Sequence, residues 1–163
     1  MAKTSDNFSI TAALLTDAPA ILDLQKLAYQ SEAALNDDYT IPPLTQTLPE
    51  LEADFQRQVY LKAARDDTIV GAVRGYERDG TCYVGRLMVH PDCQNRGVGT
   101  QLLRAIEARF NTVQRYELFT SERSTRNLYL YQKLGYHIFR TEQLSAKVTI
   151  IYLEKSNSLP IVA

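Results

Sequence analysis

Residues 59–99 constrain the fold more than any other stretch of this chain. Val59–Arg65 (VYLKAAR), Thr68–Glu77 (TIVGAVRGYE) and Thr81–Val89 (TCYVGRLMV) are rich in β-branched and aromatic residues. Only Asp66-Asp67 and Arg78-Asp79-Gly80 separate them. Breaks this short, built of Asp and Gly, turn the chain back on itself and are too short for a crossover, so an antiparallel meander is predicted. The third strand leads through His90–Gly99 (HPDCQNRGVG) to a helical stripe of Leu102, Leu103, Ile106 and Phe110 that Asn111 stops. Such a segment commits the chain to a sheet covered by helices.

The flanks extend that plan. Phe8–Leu15 (FSITAALL) reads as a first strand, and Thr16 as the N-cap of a helix over about Asp17–Tyr29 with an Ile21, Leu22, Leu24, Leu27 and Ala28 stripe. Gln30–Thr47, rich in Asn, Asp, Thr and Pro, reads as an irregular segment of the length that binding lids have. A helix from Pro49 to about Gln58 follows, capped near Thr47. Beyond the central helix come a strand at Tyr116–Ser121, a helix at Ser124–Leu134 closed by Gly135, strands at Tyr136–Thr141 and Val148–Glu154, and a loose tail. The order predicts an α+β fold with a mixed, mostly antiparallel sheet of about seven strands flanked by about four helices. The 163 residues make one domain of ordinary length, with its core at about 8–154 and a tail at 155–163.

Composition removes several classes of function. At 45% hydrophobic and 23% charged the chain is ordinary for a soluble protein. Eighteen Lys+Arg against nineteen Asp+Glu leave a net charge of −1, which disfavours a general nucleic-acid binder and a polybasic membrane anchor. Two cysteines without Cys/His ligand spacing predict neither a disulfide framework nor a metal site. MAKTSDNFSI has no apolar signal core and no run of eighteen apolar residues occurs, so a reduced, cytoplasmic protein is expected.

The chemistry concentrates at Leu87–Ile106. Gly97 and Gly99 open a helix, where up to four backbone N–H groups lack intrahelical acceptors and the helix dipole is positive, a setting that suits phosphate. Arg96 adds a cation. No Lys follows either glycine, so this is not a P-loop, and Leu102 stands where a dinucleotide fingerprint needs its third glycine. His90 and Cys93 lie three residues apart in one loop with no orienting group, and read as loop packing; Cys82 reads as a small core residue.

V-H-P-D-C-Q-N-R-G-V-G, Val89–Gly99, resembles the cofactor loop of the GNAT family of N-acetyltransferases, V/I-x4-Q/R-x-x-G-x-G/A, with Val89, Gln94, Gly97 and Gly99 at its four positions. The next helix resembles the family's second signature, Asn-x6-Tyr-x3-Gly-aromatic: Tyr131, Gly135 and Tyr136 match, and Ser124 replaces the Asn. The order of elements from Phe8 to Glu154 is also similar.

The resemblance implies acetyl-CoA as co-substrate, its pyrophosphate on the backbone of Gln94, Asn95, Arg96, Gly97, Val98, Gly99 and Thr100, and its pantetheine arm along Leu87, Met88 and Val89. It implies attack by an amine in a ternary complex, with backbone N–H near Met88 or Val89 stabilising the charge that develops on the carbonyl oxygen. Tyr131 becomes the proton donor to the thiolate, because a phenol near 10 outlasts a thiol near 8.5. Ser124 and Asn127 share the face of Tyr131 as cofactor contacts. The family position of a carboxylate base falls on Tyr83, which leaves Glu77, Glu117 and Glu122 as relay candidates. From Gln94 to Arg140 eight cations meet three acids, a net +5 that suits a polyanionic cofactor. Residues 1–65 carry five cations and nine acids, a net −4, and as a lid would favour a cationic small-molecule or peptide amine such as a polyamine or an aminoglycoside-like acceptor. A homodimer is common in the family. Its rival is an acyl-CoA-binding regulatory module that has lost catalysis, which the missing carboxylate at Tyr83 supports; a nucleotide-binding module is a weaker one.

Overall fold

Seven strands form one open, mixed sheet in the computed structural model, which describes residues 7–158. They are β1 (Ser9–Ala12), β2 (Val59–Arg65), β3 (Thr68–Arg78), β4 (Thr81–Val89), β5 (Arg115–Ser121), β6 (His137–Gln143) and β7 (Thr149–Ser156), in spatial order β1-β2-β3-β4-β5-β7-β6. Six α-helices join them: α1 (Ala18–Ala28), α2 (Gln30–Asn36), α3 (Pro42–Thr45), α4 (Leu48–Arg57), α5 (Val98–Arg109) and α6 (Thr125–Lys133). The meander is present, with β2 and β4 on the expected residues.

Two helices more than expected come from Gln30–Thr47, which is not an irregular lid. Ala, Leu, Glu and Gln in QSEAALN are good helix formers, and Asp37, at φ 49°, ends α2 in the left-handed region. Pro42-Pro43 opens the single turn of α3. The start of α1 also differs: the Asp17 carboxylate, not Thr16, accepts the Leu14 N–H at 2.8 Å, and the same oxygen holds Lys62 at 2.8 Å. At α4 the expected Thr47 cap forms a box, its N–H donating to Glu50 Oε1 at 3.1 Å. The strand reading of Ala13–Leu15 fails, because Leu15–Asp17 forms a 3-10 turn. Residues 155 and 156 extend β7, while 159–163 and 1–6 lie outside the described residues.

The two faces of the sheet are covered separately. On one, Val98, Leu102, Leu103 and Ile106 of α5 meet Val70, Val73, Cys82, Val84, Leu118 and Leu153. On the other, Ile21, Leu22 and Leu24 of α1 and Leu51 of α4 meet Tyr60, Ala72 and Met88. Gly71 sets the approach of α5: a β-carbon there would lie 2.9 Å from Leu102 Cδ1 and 3.1 Å from both Met88 O and Val98 Cγ1. No described helix is long and apolar enough to cross a membrane.

Two irregularities of β4 prepare the site. Ala72 pairs with Met88 but Arg74 with Gly85, so β4 carries one extra residue, a bulge where Arg86 takes φ 48°. Among the described residues the only parallel neighbours are β4 and β5, and their pairing ends at Tyr83 and Glu117. Beyond it β4 has a partner on its β3 side alone, and Leu87–Val89 present a strand edge to the gap.

Candidate active site

A cleft of about 620 Å³ occupies that gap. Leu87, Met88 and Val89 form one wall, Gln94, Asn95 and Gly97–Thr100 another, Ser124–Asn127 of the α6 start a third, and Tyr29 and Glu32 the fourth. Eleven of the thirteen residues singled out by the sequence therefore meet at one opening. Arg96, exposed on the loop, and Tyr131 are outside the lining.

The loop has the geometry of an anion cradle. Asn95 and Gly97 both take left-handed backbone, φ 62° and 81°, which turns successive N–H groups to one side. Gly97 is the N-cap of α5, and the first intrahelical bond is Gln101 N–H to Gly97 O at 3.0 Å. The N–H groups of Val98, Gly99 and Thr100 have no acceptor among the described residues. A β-carbon at Gly99 would touch Leu130 Cδ2 at 3.4 Å and Val89 Cγ2 at 3.8 Å, across the space between the walls. A pyrophosphate fits these donors, and an extended amide-bearing arm fits the open edge of β4. The Arg126 guanidinium bridges the mouth, donating to Gln94 Oε1 and, at 3.0 Å, to Asn95 Oδ1.

Glu32 is the residue that sequence reasoning missed. Its carboxylate accepts hydrogen bonds from the Ser124 hydroxyl and, at 3.4 Å, from Asn127 Nδ2. Burial raises its pKa above the ordinary value, and the Ser124 bond partly opposes this. Two further bonds strap α2 to the corner between β5 and α6, Ser121 Oγ to Asn36 Oδ1 at 2.6 Å and Arg123 to Leu35 O at 3.1 Å, and Lys147 of the β6–β7 loop donates to Asp37 O at 2.9 Å. The only signal in the sequence was the polar face of QSEAALN, which reads equally as solvated.

The acids first considered lie elsewhere. Tyr83 stacks on Tyr76 with centroids 5.2 Å apart, at the paired end of β4. Glu117 binds Arg115 at 3.0 Å, and Glu77 and Glu122 are exposed. Nor do residues 7–65 line the cleft with acid. Asp17 pairs with Lys62, Asp54 with Arg74 at 2.8 Å, Glu50 caps α4, and Glu32 alone among these acids faces the opening.

Tyr131 is buried, its ring 6.2 Å from that of Tyr136. Its hydroxyl makes no hydrogen bond among the described residues. Burial, then Tyr29 and Glu32, push its pKa far up, so the proton stays on. Gly135, at φ 99°, ends α6 with the Tyr136 N–H on Tyr131 O at 3.0 Å, a turn that seats Tyr136 in the core with its hydroxyl on Glu107 at 2.9 Å. In the loop, His90 Nδ1 accepts the Asp92 N–H at 3.1 Å and Cys93 is buried. On β4, burial pushes the Cys82 thiol up to about 12, so it is not an activated nucleophile.

The sequence profile of the acetyltransferase (GNAT) family matches residues 20–136, from α1 to the turn after α6. The chain belongs to the GNAT acetyltransferase family. Its fold is shared with the PaiA N-acetyltransferase of Thermoplasma acidophilum, solved in complex with coenzyme A, at TM-score 0.77 and 15% identity over 92% of this chain and 99% of that one. The ribosomal-protein-S18-alanine N-acetyltransferase of Escherichia coli superposes at TM-score 0.72 and 16% identity, covering 94% and 96%. UPF0157 protein YqkA of Bacillus subtilis (strain 168) is 26% identical over 121 residues, 74% of this GNAT chain and 35% of that protein. The chain spans about a third of that relative's length.

Proposed function

We propose that the chain is an acetyl-CoA-dependent N-acetyltransferase that acetylates a primary amine by direct attack in a ternary complex. The observation that carries this is the parting of β4 from β5 at Tyr83, which runs an open strand edge into a nest of free N–H groups. The GNAT family uses acetyl-CoA as co-substrate, and the coenzyme A complex of the Thermoplasma protein has the same fold.

Acetyl-CoA, when bound, supplies an acetyl thioester whose C–S bond breaks as the acceptor nitrogen forms the new N–C bond. The N–H groups of Val98, Gly99 and Thr100, with Gln94, Asn95 and Arg96, hold the phosphates. Leu87, Met88 and Val89 hold the amide-bearing arm at their free edge. Glu32 Oε takes the proton that the amine nitrogen must lose, and a raised pKa makes it a better acceptor than a solvated glutamate. Ser124 and Asn127, which line the cleft as expected of cofactor contacts, also act as positioning residues for Glu32. Tyr131 Oη gives its proton to the departing sulfur; burial keeps that proton on but makes the phenol a weaker acid, so its loss slows the reaction rather than abolishing it. Glu32 answers the missing carboxylate at Tyr83, which was the support for a non-catalytic acyl-CoA-binding module.

Two measurements test this. Coenzyme A titrated into the parent, Gly97→Asp and Gly99→Val binds the parent and loses affinity in both variants, because a carboxylate or a branched side chain fills the nest. Equal affinity in all three overturns the loop assignment. Thiol release from acetyl-CoA with a mixed amine panel is then followed; binding without release with any amine returns the regulatory reading.

A further inference from the structure

Arg86 stands beside the cleft and is used by nothing described above. It occupies the bulge of β4 at φ 48°, immediately before the cleft-lining Leu87 and Met88. Its Nε is buried without a partner, and its side chain makes no hydrogen bond or ion pair among the described residues. A left-handed backbone on a residue with a β-carbon and an unpaired buried donor both cost stability. Such costs persist at positions that function requires.

The surroundings leave its charge unmatched. Arg74, from β3, comes to the same side of the sheet and takes the one nearby acid: its guanidinium donates to Asp54 Oδ2 at 2.8 Å and to the Tyr60 hydroxyl at 3.2 Å. Asp54 is further engaged by Gln46 at 2.7 Å. The groups that face Arg86 are Arg74, Asp54, Tyr29 and Tyr60, so two cations share one carboxylate. Tyr29 links this corner to the cleft: its hydroxyl donates to Leu87 O at 3.4 Å, it lines the opening, and it faces both Arg86 and Glu32.

We propose that the acceptor is an amino-acid-like zwitterion, its carboxylate held by the Arg86 guanidinium and its amine directed to Glu32 across Tyr29. The inference rests on the acetyl-transfer reading above and names its acceptor class. One surplus guanidinium matches a monoanion, and its planar fork suits a carboxylate. A phosphate dianion would leave charge unmatched, and a polyamine would bring a second cation against Arg86 and Arg74.

The test follows thiol release from acetyl-CoA by the full chain with free amino acids, the same amino acids as C-terminal amides, aminoalkyl phosphates and polyamines. Parent, Arg86→Gln and Arg86→Lys are compared. A free amino acid is the expected acceptor, its amide being about 30-fold poorer in kcat/KM, as loss of one charge-assisted hydrogen-bonded pair implies. Arg86→Gln raises KM for the acid by a similar factor with kcat and coenzyme A affinity held, leaves the amide unchanged, and Arg86→Lys recovers part of the loss. Calorimetric titration of the amino acid into coenzyme A-bound protein gives the same ranking without turnover, and thermal melts establish that each variant is folded. Preference for the amide, phosphate or polyamine, or an Arg86→Gln variant that discriminates as the parent does, overturns the carboxylate assignment and leaves acetyl transfer standing. Silence in every amine arm overturns both.

Discussion

Gly71→Ala probes the contact through which β3 positions the start of α5, and so the anion cradle. The added methyl would meet Leu102 Cδ1 at 2.9 Å, Val98 Cγ1 at 3.1 Å and Met88 O at 3.1 Å. The first two are side-chain tips that can turn aside, but the third is backbone of the paired strand and cannot. Overfilling a packed site costs about 1–3 kcal/mol, and replacing a strand glycine by alanine returns about 0.5–1 kcal/mol. The net loss is at most about 2.5 kcal/mol, which at this chain length lowers Tm by up to roughly 10 °C. Gly75→Ala is the control, since its methyl meets only side chains, Ile106 Cγ1 at 3.1 Å and Cys82 Sγ at 3.4 Å, and it loses less. Val98 is the first residue of α5, so relief by displacement moves the free N–H groups, and coenzyme A binding weakens in Gly71→Ala more than in Gly75→Ala. Far-UV circular dichroism melts and calorimetric titration read both effects. A Gly71→Ala protein that melts at or above the parent, with unchanged coenzyme A affinity, refutes the close approach as the device that sets the loop.

Three further outcomes are expected. Glu32→Gln lowers kcat/KM by about 10²–10⁴-fold and removes the acid limb of its pH profile, and a variant that keeps the limb shows that another group is the base. Because burial raises the folded pKa of Glu32 above its ordinary 4.5, its contribution to stability is complete below that pH and is lost as pH rises through the folded value. Denaturant titrations at several pH values should therefore show Glu32→Gln gaining on the parent towards neutrality, and a constant difference would contradict the shift. Tyr131→Phe slows turnover by about 10²-fold without changing coenzyme A affinity, and full turnover with chemistry rate-limiting removes it as proton donor. Arg86→Met removes the buried, unpaired Nε, recovers about 1–3 kcal/mol and raises Tm by at least about 2 °C; a lower melting point would mean that the guanidinium has a stabilising partner.

Much of the fold was legible because it is local. Turn residues and alternation set the meander, the Thr47–Glu50 box set α4, and Gly135 set the end of α6. Gln94–Thr100 was legible for the same reason, since a helix start exposes its own N–H groups whatever surrounds it. The reading of Gln30–Thr47 failed on another ground: α2 is seven residues long, too short to be stable by propensity alone, and is held by bonds to Ser121, Arg123, Ser124 and Lys147. Ser124, which departs from the expected Asn, gained its meaning only with Glu32, 92 residues away in sequence.

Outside Gln30–Thr47 and Ala13–Leu15, the sequence by itself determined which segments are strand and helix, where the chain turns, and that a helix start suited to phosphate follows β4. These are short-range effects of turn chemistry, periodicity and capping. The tertiary structure decided what faces the opening. The net −4 of the first 65 residues is not gathered at the cleft: Asp17 pairs with Lys62 and Asp54 with Arg74, and among the described residues one carboxylate of this segment, Glu32, lines the opening, with the unpaired guanidinium of Arg86 beside it. Charge counted along a chain adds without regard to position, whereas the charge that a ligand meets is what remains after the fold has chosen the pairs.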